Sequence, residues 1–194
     1  MKNICVFCGS RVGNKSIYKS AAQEMGYAIA KRGFGLIYGG GHTGLMGVVA
    51  DAALTAGTEV IGVIPQFLLE REQGHGELTK LHIVNSMHER KALMADLADA
   101  FVALPGGYGT LEELCEMITW AQLGLHNKPI GLLNVDGYYN FLLNFFDRAV
   151  TDEFLAANLR HLVIEGLQPE ILLDVIMQYQ PQQKQNLMSR ESEF

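Results

Sequence analysis

Short apolar runs alternate along the chain with longer stretches whose apolar positions recur every third or fourth residue. The runs at 4–8, 35–38, 59–64, 81–84, 100–104, 130–133 and 161–165 predict strands, and the periodic stretches at 16–32, 43–56, 87–97, 111–123, 138–154 and 169–179 predict helices. Most runs are apolar throughout rather than alternating, the pattern of strands covered on both faces. Helices falling between the strands supply that cover. The expected architecture is therefore α/β, a doubly wound and mainly parallel sheet with helices on both faces. Gly33 and Gly57 stand where helix C-terminal stops belong. The stretch 66–79 mixes charge, Gly and His between two strands and is long for such a connection, which makes it a candidate cover for a ligand. After Tyr179 the chain becomes Gln-Pro-Gln-Gln-Lys-Gln-Asn, so residues 1–180 read as a single domain and 181–194 as a disordered polar tail.

At 194 residues, 48% of them hydrophobic and 19% charged, the chain can bury a substantial core and lacks the composition of a disordered protein. Its apolar runs are too short and too often broken by Gly or charge to span a bilayer, so no membrane association is expected. The start, Met1-Lys2-Asn3-Ile4-Cys5-Val6-Phe7-Cys8, leads straight into a strand without the apolar segment and cleavage site of a secretory leader, which points to the cytoplasm. A formal net charge of −6 argues against a broad contact with a phosphate backbone, and nucleic acid is not an expected partner. Cys5 and Cys8 form an isolated C-x-x-C. Residues three apart on a strand face opposite ways, and no second pair or nearby His completes a metal set, so both read as buried apolar residues.

Two strand-to-helix turns are rich in glycine. The first, Tyr38-Gly39-Gly40-Gly41-His42-Thr43-Gly44, holds G-x-G-x-x-G in the strand-then-helix setting of a dinucleotide fingerprint. It follows the second strand rather than the first, and the next strand ends in Ile64-Pro65 where an acid is needed for the ribose, so close helix packing or approach to a smaller ligand is the preferred reading. The second, Leu104-Pro105-Gly106-Gly107-Tyr108-Gly109-Thr110, lies where a parallel strand ends and a helix begins. A helix start offers unpaired amides and the positive end of the dipole; bare glycines let phosphate oxygens reach them, and the Thr110 hydroxyl can add a donor. The Lys of a nucleoside triphosphate-binding loop is missing.

Two charged groups follow these turns. Thr110-Leu111-Glu112-Glu113 has the spacing of a capping box, in which the Glu113 carboxylate returns to the amide of Thr110. A phosphate on the same amides would instead leave that carboxylate to face a ribose. Ser86-Met87-His88-Glu89-Arg90-Lys91 opens another helix with a second box, and sets two cations at a helix start. There they oppose the macrodipole by about 0.3–1 kcal/mol each unless an anion gathers nearby, so they are either a solvated turn or part of an anion site. The histidines are scattered, His88-Glu89-Arg90-Lys91-Ala92 lacks the second His of H-E-x-x-H, and no metal site is expected.

Together, Pro105-Gly106-Gly107-Tyr108-Gly109-Thr110-Leu111-Glu112-Glu113 and Met87-His88-Glu89-Arg90-Lys91 resemble the two signature motifs of the Lonely Guy family, cytokinin riboside 5′-monophosphate phosphoribohydrolases. The likeness runs from about Ile4 to Tyr179 and takes in Ile118-Thr119-Trp120-Ala121-Gln122-Leu123-Gly124 and Gly131-Leu132-Leu133-Asn134-Val135-Asp136-Gly137-Tyr138-Tyr139. It implies a Rossmann-like fold, a homodimer with sites near the subunit interface, and release of free base and ribose 5-phosphate from a nucleoside monophosphate; the cytokinin monophosphates and plain AMP both stay open as substrates, and no cofactor is expected. It also implies that Arg90 and Glu113 are the catalytic pair. Lys91, Gly106, Gly107, Tyr108, Gly109, Thr110, Leu111, Glu112 and Thr119 surround the substrate, joined by Glu72 in the long loop and by Gly9, Ser10 and Gly41 at the ends of the first two strands. The family has carried a lysine decarboxylase label, yet no pyridoxal phosphate site with its Schiff-base Lys is evident in the residues. The alternative of another class is a non-catalytic nucleotide or cofactor carrier on the same fold, because a phosphate turn alone specifies binding only.

Overall fold

The short apolar runs become the parallel strands of one sheet. A computed structural model describes residues 1–69 and 74–181 of the chain. In order these are β1 Asn3–Phe7, α1 Ser16–Lys31, β2 Gly35–Tyr38, α2 Gly44–Thr55, β3 Val60–Pro65, α3 Gln66–Leu69, β4 Lys80–Val84, α4 Met87–Leu97, β5 Ala100–Ala103, α5 Tyr108–Gln122, β6 Ile130–Leu133, α6 Asn140–Thr151, β7 Val163–Gly166 and α7 Pro169–Gln178, with 3-10 turns at Val135–Gly137 and Ala157–Leu162. The sheet runs β4-β3-β2-β1-β5-β6-β7 and every pairing is parallel. It is a Rossmann-like α/β fold, as the pattern of runs and helices predicts.

Alternate residues of β1 feed two separate cores. Ile4 and Val6 pack with Met25 and Ile29 of α1, Val49 of α2 and Leu172 of α7. Cys5 and Phe7 pack on the other side with Met94 of α4, Leu114 and Met117 of α5 and Leu143 of α6. A strand walled in on both faces has no polar position to show, which is why its sequence does not alternate. The same geometry puts Cys5 in one core and Cys8 in the other, both as free buried thiols.

Helix ends follow local chemistry. At Gly33 (φ +72) the amides of Gly33 and Phe34 turn back to Ala30 O and Ile29 O, a C-terminal stop that Gly57 and Thr58 repeat after α2. Other boundaries differ from the periodicity. Helix α5 starts at Tyr108, three residues before the expected 111, because the helical turn begins inside the glycine segment. Helix α6 starts at Asn140 rather than 138, since Asp136 takes a left-handed φ of 52 and closes a 3-10 turn first. His161 lies in the preceding 3-10 turn and not in β7. Glu72 and residues 182–194 of the expected tail lie outside the described residues. No described helix is long and apolar enough to cross a membrane.

Helices α1 and α2 meet at Gly26, where a Cβ would stand 2.6 Å from Val49 O and 2.7 Å from the Cβ of Ala52. Gly26→Val is therefore expected to cost about 1–3 kcal/mol by overpacking, read as a lower urea midpoint at unchanged slope.

Candidate active site

Strand β1 has β2 on one side and β5 on the other, and the helices that follow β1 and β5 pack in opposite cores. In open α/β sheets this divergence opens a crevice at the carboxyl edge. The loops after β1 and β5 touch there: Gly9 N–H donates to Pro105 O at 3.0 Å, and a Cβ on Gly9 would lie 3.3 Å from Gly106 Cα.

The glycine turn after β5 divides its residues between packing and exposure. A Cβ on Gly106 would fall 2.0 Å from Thr110 Oγ1, so glycine is required for Thr110 to fold in against the turn. Cβ atoms on Gly107 or Gly109 would meet nothing within 4 Å. The outer surface of the turn is therefore bare main chain. Gly107 caps α5 without a side-chain bond, and the first bond within the helix runs from Leu111 N–H to Gly107 O at 3.1 Å. The amides of Gly107, Tyr108, Gly109 and Thr110 precede that bond and lie outside the helix's own bonding, at the positive end of its dipole, where an anion is favoured.

Two tyrosines brace this turn from behind. Tyr139 donates its hydroxyl to Leu104 O, and Tyr138 donates to Gly106 O, each at 2.6 Å. The buried Asn134 side chain accepts from Tyr139 N–H at 2.8 Å and fixes where both rings start. Sequence reasoning missed this role, because a Tyr-Tyr pair at a helix start carries no signal of which carbonyl its hydroxyls reach.

Arg90 enters from α4. Its main chain opens the helix, with Arg90 N–H donating to Ser86 O, and its side chain turns inward to 5% exposure. Nε donates to Val63 O at 3.1 Å and Nη2 to Gly39 O at 3.0 Å, while Nη1 lies 3.8 Å from Met87 Sδ. A Cβ on Gly39 would sit 2.1 Å from Nη2. The first glycine turn is thus a seat for the guanidinium. Its remaining glycines also meet protein: Gly40 O accepts from His75 N–H at 3.1 Å, Gly41 bridges to Gly74, and a Cβ on Gly44 would collide with the Ser10 backbone at 2.2 Å. Close packing accounts for this G-x-G-x-x-G. Ser10 is exposed at the mouth of the crevice.

The solvated-turn reading of the two cations is overturned, since Lys91 is 6% exposed as well. Lys91 Nζ pairs with Glu112 and, at 3.1 Å, with Glu116, joining α4 to α5. Burial works to lower the pKa of this ammonium, but the bonds and charges of the two carboxylates outweigh it and hold it above the usual lysine value. The second capping box does form in shifted guise: Ser86 Oγ accepts from Glu89 N–H at 3.1 Å, and the Glu89 carboxylate returns to Asn85 N–H at 2.8 Å.

Glu113 is buried at 8% exposure. The box proposed for it does not hold, because Thr110 is the third residue of α5 and Gly107 occupies the cap. Glu113 and Arg90 share one neighbourhood, at the end of β1. Burial pushes the Cys5 and Cys8 thiols up, the Glu113 charge pushes them further, and the Arg90 charge opposes it. A buried acid and a buried guanidinium thus stand beside a helix start whose first amides lie outside the helix's own bonding.

Residues 46–176 match the family described as "Possible lysine decarboxylase". The chain is 52% identical over 180 residues to cytokinin riboside 5′-monophosphate phosphoribohydrolase LOG1 of Arabidopsis thaliana, covering 93% of this chain and 84% of the relative. It is 50% identical over 187 residues to the enzyme LOG of Oryza sativa subsp. japonica, covering 96% and 77%. This chain belongs to the Lonely Guy family. Solved structures of the same fold include the molybdenum cofactor carrier protein of Chlamydomonas reinhardtii, with 22% identity, TM-score 0.70, and coverage of 91% of this chain and 96% of that one. The molybdenum cofactor binding protein of Rippkaea orientalis has 20% identity and TM-score 0.66, with coverage of 92% and 97%.

The loop after β1 and the two Lonely Guy motifs thus bring Gly9, Gly106, Gly107, Tyr108, Gly109, Thr110, Glu113 and Arg90 to one sheet edge. They do not bring Thr119. It stands nine residues beyond Thr110 on α5, about 13 Å along the axis, exposed, with its hydroxyl on Cys115 O at 2.7 Å. Leu111 is half-buried on the same helix, while Tyr108 is 93% exposed and projects from the turn. In Gly39→Ala the new methyl group occupies the place of Nη2. Arg90 is expected to leave the Gly39 carbonyl, losing a charge-assisted bond of about 1.5–3 kcal/mol. A crystal structure of the variant checks this, and an unmoved guanidinium contradicts it.

Proposed function

We propose that this Lonely Guy protein acts as a single nucleotide-binding catalytic domain over residues 1–180, in the cytoplasm, with no cofactor. It hydrolyses the N-glycosidic bond of nucleoside 5′-monophosphates, cytokinin riboside monophosphates and AMP among them, releasing free base and ribose 5-phosphate. The observation that carries the reading is the buried Glu113 carboxylate beside a helix start whose leading amides are free of helical bonds and suited to an anion. A carrier needs the second of these and has no use for the first. The relatives near 50% identity are named as phosphoribohydrolases, whereas the carriers share the fold at 22% identity or less.

The 5′-phosphate docks on the amides at the start of α5 and fixes the sugar, so binding energy remote from the reacting bond is used for orientation. As the base departs, positive charge grows on the ribose. The Glu113 carboxylate stabilises that charge and orients the attacking water. Arg90, held by Gly39 O and Val63 O, turns its remaining N–H groups to a substrate oxygen and keeps the acid in place. The lysine decarboxylase description fits poorly: imine formation needs a neutral amine, and Lys91 is an ammonium clasped by two carboxylates.

Thr119 belongs to this site only through a second copy. Cys115, Thr119 and Leu123 lie on the exposed side of α5, and Phe141 and Phe145 of α6 are 88% and 65% exposed. Apolar surface of this kind marks an interaction face. A homodimer formed through it sets Thr119 and Glu112 of one protomer near the other's substrate. Neither a membrane nor nucleic acid enters this reading.

Two measurements test it. Glu113→Gln is expected to lower kcat on AMP or isopentenyl-AMP about 10²–10⁴-fold while KM changes little, with free base and ribose 5-phosphate quantified by chromatography; undiminished turnover rejects the role. Phe145→Glu is expected to sediment as a monomer with unchanged circular dichroism and to lose activity. A fully active monomer removes the dimer from the mechanism.

A further inference from the structure

A second group of side chains meets beyond the crevice, at the outer end of the first glycine turn. His42 ends that turn, Asp51 lies on α2, and His75 sits in the segment leading to β4. Each offers one ligand atom, and these atoms lie within 4.8 Å of one another. The two histidines border a cavity of about 390 Å³ lined by His42, Gly74, His75, Gly76 and Glu77. Sequence spacing gives no hint of the set, because its members are brought together only when residues 74–77 fold back onto the turn.

The placement of His75 is fixed from several sides. Its amide donates to Gly40 O at 3.1 Å, and Gly74 beside it bridges to Gly41. The ring is 3% exposed and meets the His42 ring edge-on with centroids 4.7 Å apart. Nε2 lies 2.9 Å from Asp51 Oδ1, and Nδ1 accepts from Glu77 N–H at 3.2 Å. In the neutral ring Nε2 therefore carries the proton and donates it to Asp51.

We propose that His42, Asp51 and His75 form a binding site for a divalent transition-metal ion of the zinc class. Two imidazoles and one carboxylate are the donor set that zinc takes in sites with an open position, and they are a poor set for magnesium or calcium, which prefer oxygen. Tetrahedral bonds of about 2.0–2.2 Å place ligand atoms roughly 3.3–3.6 Å apart, so the observed cluster needs only small side-chain rotations. The ion takes the place of the proton between His75 Nε2 and Asp51 Oδ1. That proton is regained at Nδ1, so the ring stays neutral and the Glu77 N–H bond is given up. Gly76 is exposed, and a Cβ there would meet nothing within 4 Å, so the turn has room to adjust. Water or the Glu77 carboxylate on the cavity wall completes the shell. Bound in this way, the ion clamps residues 74–77 to α2, over the same turn that seats Arg90. Its role is structural and independent of the hydrolytic reading.

The test uses the full chain, freed of metal with a chelator and titrated with Zn²⁺ by calorimetry and with Co²⁺ by visible absorption. One ion per chain is expected, with a rise in Tm on binding and a cobalt spectrum of nitrogen and oxygen ligation. His42→Ala and Asp51→Asn, both at exposed positions, are expected to weaken binding at least about ten-fold while the metal-free Tm holds. Cys115→Ser, which removes the exposed thiol, leaves binding intact. Absence of saturable binding overturns the proposal. So does binding that survives His42→Ala, or binding that is lost with Cys115.

Discussion

The structure around the crevice depends on where one buried positive charge is put. A guanidinium taken out of water is costly unless its N–H groups find partners and an opposite charge stands near. Arg90 meets the first need with the carbonyls of Gly39, just past β2, and Val63, within β3, and shares the neighbourhood of the Glu113 carboxylate. Much of the surrounding design follows. Gly39 has no side chain because the guanidinium fills that space, and Gly40 and Gly41 are covered by residues 74 and 75. The fingerprint-like spacing of this turn thus reflects protein packing on protein.

The second glycine turn is built on the opposite plan. Its inner glycine is crowded, its outer glycines face open space, and its carbonyls are held from behind by two tyrosine hydroxyls. One turn is filled by the chain itself, and the other leaves its outer main chain uncovered. That contrast, with the buried Glu113 on the helix that the second turn opens, favours the hydrolytic reading over simple nucleotide carriage more than the shared fold does.

The strands, their order of occurrence and the helices were legible because unalternated apolar runs separated by helical periodicity fit little else. The second glycine turn was legible as a helix start with bare main chain, whereas spacing alone left Arg90 and Glu113 open between capping or solvated charge and a ligand site. What stayed hidden was whatever tertiary closure decides. Whether Glu113 capped its helix hinged on α5 starting at Tyr108, which the glycines permit but do not announce. Lys91 read as a cation near substrate, while the fold gives it Glu112 and Glu116 as partners. Thr119 lies about 13 Å along α5 from Thr110, so its place beside a substrate depends on a second copy, which no local pattern encodes. The hydroxyls of Tyr138 and Tyr139, and the meeting of His42, Asp51 and His75, depend on contacts across dozens of residues that no local pattern encodes.

The bare outer surface at Gly107 and Gly109 bears on how selectivity can diverge among related enzymes. Main-chain amides are supplied whatever the side chains are, and on the proposed reading they grip the one feature that every nucleotide of this kind shares. Preference for one purine over another has to be written elsewhere, on flanking side chains that can vary without loosening the grip. A substitution that redirects the enzyme to a new base therefore leaves its hold on the sugar phosphate untouched.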